Sequence, residues 1–217
     1  MVADAAALPL RGGVTVSTRK PVRRVVTGHD DQGRAIILRD DADAPNTFTS
    51  ETIPGFGASV VWSTPGGVID HVGDDDTAPA DAKIDFPGVG ETVVRIADFP
   101  PDAVYPENAS EAVFDEIDGH DERDAGSAHS RAKHFWFHRT ESIDYAVVLE
   151  GEITLLVDEG EVTMGPGDVA IQRATAHAWS NRTDQVCRMM FVLIGTEPIS
   201  PDEIAAQRAG AVAGSTP

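Results

Sequence analysis

Between Phe137 and Asn181 the chain alternates short apolar runs with turn residues. Tyr145 to Leu149 and Ile153 to Val157 are such runs, broken by Gly151, by the acidic turn Asp158-Glu-Gly-Glu161, and by Gly165-Pro-Gly167-Asp168. Runs this short, punctuated by Gly and Asp, predict antiparallel strands rather than helices. The pattern places a polar cluster before a hairpin and a histidine, His177, just after it. In a small barrel those two positions can face each other across the interior.

The same reading extends upstream. Arg23 to Thr27 and Arg34 to Leu38 predict a hairpin with a long Gly- and Asp-containing loop, Ala58 to Ser63 a third strand, and Glu91 to Phe99 a core strand ending at Pro100-Pro101. Asp70 to Ala82, with Asp74-Asp-Asp76, reads as a solvated loop. A calcium site there is the sharper alternative, but the run lacks EF-hand spacing. After Gly195, Ser200-Pro-Asp-Glu203 is a helix start, with Ser as cap, Pro in the first turn and Glu three residues on. The helix is predicted from Pro201 to about Arg208, before an Ala/Gly/Ser tail. The expected organisation is an N-terminal arm with added strands over 1–89, an antiparallel β-barrel over 90–195, and the helix and tail over 196–217. Val147, Leu149, Ile153, Leu155, Val169, Ile171, Phe191 and Leu193 are the expected wall residues.

Charge narrows the partners. The chain has 17 basic and 36 acidic residues, a net charge of −19, and only Lys20, Lys83 and Lys133 as lysines. Nucleic acid and anionic membrane surfaces repel such a surface. Adaptation to high salt and a plain solvated coat both account for it. Cys187 is the only cysteine, so no intrachain disulfide forms, and its apolar strand suits a buried small hydrophobe. No stretch is long enough to span a bilayer, and Met1 to Gly13 lacks the marks of a signal peptide, so a cytoplasmic location is expected.

Two segments remain ambiguous. Asp115 to Asp124 carries six acidic residues among ten, with His120 between them. It reads as a mobile acidic rim, or alternatively as a lid. In Lys133 to Thr140, a period of two puts His134, Trp136, His138 and Thr140 on one face, and Phe135, Phe137 and Arg139 on the other.

The stretch His138 to Asn181 resembles the two sequence blocks of the cupin superfamily, roughly G-x5-H-x-H-x3,4-E-x6-G and G-x5-P-x-G-x2-H-x3-N. His138 and Gly151 match the first block, with Ala132 in place of its opening Gly, Thr140 of its second His and Asp144 of its Glu. His177 and Asn181 match the second. Gly167 fits its opening Gly but lies one residue too close to the His, and Gln172 and Ala174 stand where Pro and Gly are usual. The resemblance spans about half the chain, from near Gly90 to Gly195. It implies an all-β, antiparallel jelly-roll barrel carrying the extra N-terminal strands and the short C-terminal helix, and it implies a homodimer.

The chemistry implied by the resemblance centres on His138, Asp144 and His177. Two imidazoles and one carboxylate resemble the face that holds Fe, Mn, Ni or Zn with positions left open for substrate. Hydrogen-bonded core histidines, and a backbone or Arg139 partner for Asp144, are the plainer alternatives. His134 and Tyr145 are the candidate proton shuttles. Trp136, Thr140, Gln172, Arg173 and Trp179 are the candidate substrate pocket, with Arg173 a fork for a carboxylate. Two functions follow: a metal-dependent oxygenase, decarboxylase, isomerase or lyase acting on a small organic acid, carbonyl compound or aromatic, or a non-catalytic barrel that binds a small ligand without metal.

Overall fold

The computed structural model of the protein describes residues 8–9, 15–16, 19–82, 86–117 and 131–213. Its strands are β1 (Leu8–Pro9), β2 (Thr15–Val16), β3 (Arg24–His29), β4 (Ala35–Asp41), β5 (Asn46–Thr49), β6 (Gly57–Thr64) and β7 (Thr92–Phe99), then β8 (Ser142–Glu150), β9 (Ile153–Val157), β10 (Gly160–Met164), β11 (Val169–Arg173), β12 (His177–Ser180) and β13 (Cys187–Gly195). Helix α1 (Ala109–Glu116) follows β7, and α2 (Pro201–Ala213) follows β13. A six-stranded antiparallel sheet, ordered β11-β8-β13-β7-β6-β5, faces a three-stranded one, β10-β9-β12. This is the expected all-β jelly-roll architecture with a C-terminal helix. No helix among the described residues is long and apolar enough to cross a membrane.

The N-terminal strands divide. β6, at the strand expected over Ala58 to Ser63, pairs with β7, and β5, which the sequence reading did not find, adds to its other edge; Phe48 and Phe56 reach the interior cavity. β3 and β4 form a two-stranded sheet of their own instead. One buried guanidinium ties that hairpin down. Arg24, 3% exposed, donates from Nε to Asp41 at 2.8 Å, and in bidentate fashion to Asp76 at 2.9 and 2.7 Å. Asp76 is therefore a structural partner rather than part of a solvated loop, and its carboxyl is held below the usual range chiefly by that contact.

Alternation along β8 fixes what faces inward. Ser142, Asp144, Ala146 and Val148 are buried, whereas Ile143, Tyr145 and Leu149 are exposed. Four of the expected wall residues are accordingly corrected. Leu149, Val169 and Ile171 lie outside at 40%, 54% and 51% exposure, and Val147 is half-buried on the same outer side. The cause is register: Val169 and Ile171 pair with Val147 and Tyr145, so one outward residue carries its cross-strand neighbours outward. Ile153, Phe191 and Leu193 are buried as expected, and Leu155 packs half-buried against the core.

Two helices complete the chain. In α1, Val113 and Phe114 are fully buried just ahead of the segment read as a rim or lid, whose described residues run from exposed Asp115 to half-buried Glu116 and Ile117. The acidic run beyond Ile117, with His120, lies outside the described residues. At α2 the capping box forms reciprocally: Glu203 N donates to Ser200 Oγ at 3.2 Å, and Ser200 N to Glu203 Oε2 at 2.8 Å. The helix runs on to Ala213, five residues beyond the predicted end, because Ala209, Ala211 and Ala213 favour helix and Gly210 alone does not stop it.

The two faces of the large sheet predict different mutational costs. Leu193→Ala, at an inward position, should lower unfolding stability by about 2–5 kcal/mol. Leu149→Ala, on the outer face, should cost under about 1 kcal/mol. Urea melts of the two variants check this, and equal losses would contradict the assigned register.

Candidate active site in the barrel cavity

The cavity lies between the two sheets and has about 90 Å³ open to water centres. One water needs roughly 10–15 Å³ by that measure, so the space admits a ligand of several non-hydrogen atoms. Its wall is mostly aromatic, with His138, His177, Thr140, Asp144 and Arg95 as the polar groups.

The two histidines are brought together by backbone. His138 N donates to His177 O, and His177 N to His138 O, each at 3.0 Å. This isolated bridge adds His138 to the free edge of β12 and sets the rings 4.4 Å apart, centre to centre. Each Nδ1 meets a carbonyl two residues back: Trp136 O at 2.7 Å from His138, and Thr175 O at 2.9 Å from His177. A carbonyl only accepts, so each Nδ1 carries the proton and each Nε2 keeps a lone pair. Burial lowers the pKa of His138, helped by the charge of Arg95 and opposed by the Trp136 carbonyl. Burial and the neighbouring His138 push His177 down to about 3. Near neutral pH both rings are neutral.

Asp144 belongs to the opposite wall. It lies on β8 in the large sheet, whereas the histidine pair sits on the small one. Among the described residues no three His, Cys, Asp or Glu side chains gather to hold one ion, so the expected grouping of His138, Asp144 and His177 does not form. Ser142 Oγ donates instead to Asp144 Oδ1 at 2.6 Å and lies 2.9 Å from Thr140 Oγ1. A serine has one proton. The chain therefore runs from Thr140 through Ser142 to the ionised carboxylate, and reverses when Asp144 is protonated. Burial raises the Asp144 pKa to about 6 against the opposing Ser142 bond and Arg95 charge. Thr140 and Ser142 also line an outer cleft of about 360 Å³, so this hydroxyl chain spans the wall between cavity and surface.

The remaining predicted site residues separate cleanly. Trp136, Thr140 and Trp179 line the cavity; His134, Tyr145, Gln172 and Arg173 do not. No strand forms at Lys133 to Phe137, so the expected face is broken at His134. That residue accepts from Trp136 N at 3.2 Å and sets its Nε2 3.4 Å from Asp102. Tyr145 is 44% exposed, because alternation cannot turn both it and Asp144 inward. Gln172 is buried opposite Asp144 but accepts from Thr175 Oγ1 at 2.6 Å, and Arg173 is exposed on the outer side of β11. Asn181 is structural, donating from Nδ2 to Phe99 O at 2.8 Å and Gln185 O at 2.7 Å. The thiol of buried Cys187 is pushed up to about 12 by its surroundings, chiefly burial, which leaves it unreactive.

Arg95 escapes the sequence reading. Val93, Val94 and Ile96 mark its strand as apolar, but inward Val93, Ala97 and Phe99 alternate with Arg95 on the cavity side. Counting by twos from Phe99 would have found it. Ala174 carries a different signal. It stands where the resembled block has Gly, and it is the only non-glycine residue with positive φ among those described, at 48°. Its N donates to Ser142 O at 3.0 Å, and its carbonyl accepts from Arg139 Nε at 2.7 Å. The strained turn is thus anchored on both sides just ahead of His177.

Two outcomes follow from this geometry. Ala174→Gly should raise stability by about 1 kcal/mol in thermal melts, since an L side chain in the left-handed region costs roughly 1–2 kcal/mol; a loss of stability would contradict the strain. Asp144 has a folded pKa above its unfolded value, so the native state binds the extra proton and wild-type stability falls as pH rises from about 4 through 6. Asp144→Asn, neutral throughout, should exceed wild type by about 2–3 kcal/mol at pH 7.5 and match it near pH 4. A gap that does not depend on pH would refute the buried, raised carboxyl.

The comparisons agree with this architecture. A family model described as Cupin domain matches residues 127–193. The cupin-domain-containing oxidoreductase virC of Hypocrea virens (strain Gv29-8 / FGSC 10586) is 30% identical over 194 residues, 86% of this chain and 81% of that protein. The cupin-domain-containing oxidoreductase fogC of Aspergillus ruber (strain CBS 135680) is 30% identical over 181 residues, 80% of this chain and 72% of the relative. Phomopsin biosynthesis cluster protein C' of Diaporthe leptostromiformis is 54% identical over 67 residues, 30% of this chain and 35% of that protein. With a relative of this identity aligned over most of both lengths, and the paired sheets and bridged histidines in place, the chain belongs to the cupin superfamily.

Proposed function

We propose that the protein is an oxidoreductase of the cupin kind, acting on a small molecule enclosed in the barrel cavity. The observation that carries this reading is the pair of neutral imidazoles whose Nδ1 protons are tied to carbonyls, leaving two Nε2 lone pairs on rings that line a cavity rich in Phe and Trp. Anchoring the far ring nitrogen on a carbonyl is the arrangement that orients a ligating histidine. Two relatives named cupin-domain-containing oxidoreductases support the class of reaction.

A divalent ion, Fe, Mn, Ni or Zn, would be held by the Nε2 atoms of His138 and His177. When bound there, such an ion supplies Lewis-acid or redox chemistry. The chain's own residues do the rest. The aromatic wall excludes water and orients the substrate. The Asp144 carboxylate, largely ionised at neutral pH, takes a proton from Thr140 Oγ1 through Ser142 Oγ, and returns it along the same chain once protonated. Tyr145 and His134, outside the cavity, have no part in this.

Metal analysis tests the proposal. The purified protein should bind about one divalent ion per chain, His177→Ala should lose it, and Thr140→His should tighten it by adding a third imidazole. Elemental analysis after dialysis against each ion provides the readout. If wild type and His177→Ala retain equal metal, or neither retains any, the metal-free ligand-binding barrel is the better description.

A further inference from the structure

His177 is reached through a turn with no regular structure of its own. β11 ends at Arg173, Ala174 takes a positive φ of 48°, and β12 begins only at His177. Thr175, between them, is exposed. Among the described residues it makes two hydrogen bonds. Its carbonyl accepts from His177 Nδ1 at 2.9 Å, and its hydroxyl donates to Gln172 Oε1 at 2.6 Å. Gln172 is 4% exposed and sits on β11 opposite Asp144. The acceptor is thus anchored in the barrel wall, while the donor stands on a solvent-facing turn. Neither residue lines the cavity.

A carbonyl orients an imidazole only when the carbonyl is itself held. The bonds of Ala174 to Ser142 O and from Arg139 Nε fix the peptides on either side of Ala174, which is one peptide too early to aim the Thr175 carbonyl. Pro at position 172 and Gly at 174, usual in the resembled block, would stiffen the turn through a locked φ and a relaxed left-handed residue. This chain has neither. The bond from Thr175 to Gln172 spans Ala174 and closes the turn in their place.

We propose that Gln172 and Thr175 are positioning residues for His177: their bond holds the Thr175 carbonyl on the Nδ1 proton and so keeps Nε2 bare on the cavity wall. Both act through one backbone carbonyl on the tautomer and angle of one ring. The clamp stands on geometry; its importance for an ion rests on the reading of His177 as a ligand.

Ring-nitrogen NMR of the metal-free, isotope-labelled full chain reads the tautomer directly. At about pH 7.5, wild-type His177 should carry its proton on Nδ1 and none on Nε2. Thr175→Val keeps the shape and removes the hydroxyl, and should move both nitrogens toward the intermediate shifts of a tautomer mixture. Gln172→Met should do the same, and Thr175→Ser should restore the wild-type pattern. Zinc affinity, read by competition with a colorimetric chelator, should fall about ten- to a hundredfold in Thr175→Val and Gln172→Met and recover in Thr175→Ser. Thr175 is exposed, so its two variants decide the question even if Gln172→Met fails to fold. A single His177 tautomer retained in Thr175→Val, or a serine variant that fails to restore it, would overturn the clamp. A tautomer that follows the hydroxyl in a protein that binds no metal would uphold the clamp while removing the metal reading.

Discussion

Two backbone hydrogen bonds, exchanged between His138 and His177, set the geometry of the interior. Without them the segment from Ala132 to Thr140 has no regular structure to position it, because it is turn and coil on either side of that single bridge. With them, Trp136, His138 and Thr140 are delivered to the cavity wall, and Phe114 of α1 packs 5.5 Å from Trp136 and 6.2 Å from His138. The anchored turn at Ala174 leads into the same bridge from the other side. Asp102 braces the far end of β12, accepting from Ser180 Oγ at 2.6 Å and Asn181 N at 2.9 Å.

Electrostatics in the cavity are divided between its walls. The small sheet contributes two uncharged imidazoles with lone pairs available. The large sheet contributes a guanidinium and a carboxyl whose ionisation is held near neutrality by burial. Enclosure sharpens each of these interactions, because charges and dipoles act more strongly where water is excluded. The space is thus lined by two ring-nitrogen acceptors and a chain of hydroxyls, each fixed by its own hydrogen bonds.

Much of this was legible in the residues. His138 and His177 declared themselves through spacing, and the strand runs marked both sheets. What failed was facing. An apolar residue on a half-buried strand does not say which side it takes, and β8 is apolar outside and polar at two of its inward positions, Ser142 and Asp144. Choosing Asp144 as inward already implied that Tyr145 and Leu149 were outward, a consequence of period two that the apolar count obscured. His134 was lost for a different reason, since alternation was applied to a segment that forms no strand. Arg95 was hidden by its neighbours Val94 and Ile96, and the contribution of α1 by a sequence whose acidic character masked Val113 and Phe114. The separation of Asp144 from the histidine pair depends on which sheet each strand joins, and spacing along the chain carries no record of that.

The polar interior has a counterpart on the outside. With inward positions given to Arg95, Asp144 and Ser142, the large sheet turns Ile143, Tyr145, Leu149, Val169 and Ile171 toward solvent, an oily face on a chain of net charge −19. Two such molecules are attracted at close range and repelled at long range, and dissolved ions shorten the repulsion to about 8 Å at physiological strength. The colloidal behaviour of the protein is thus tied to the salinity of its surroundings through the same alternation that shapes its cavity.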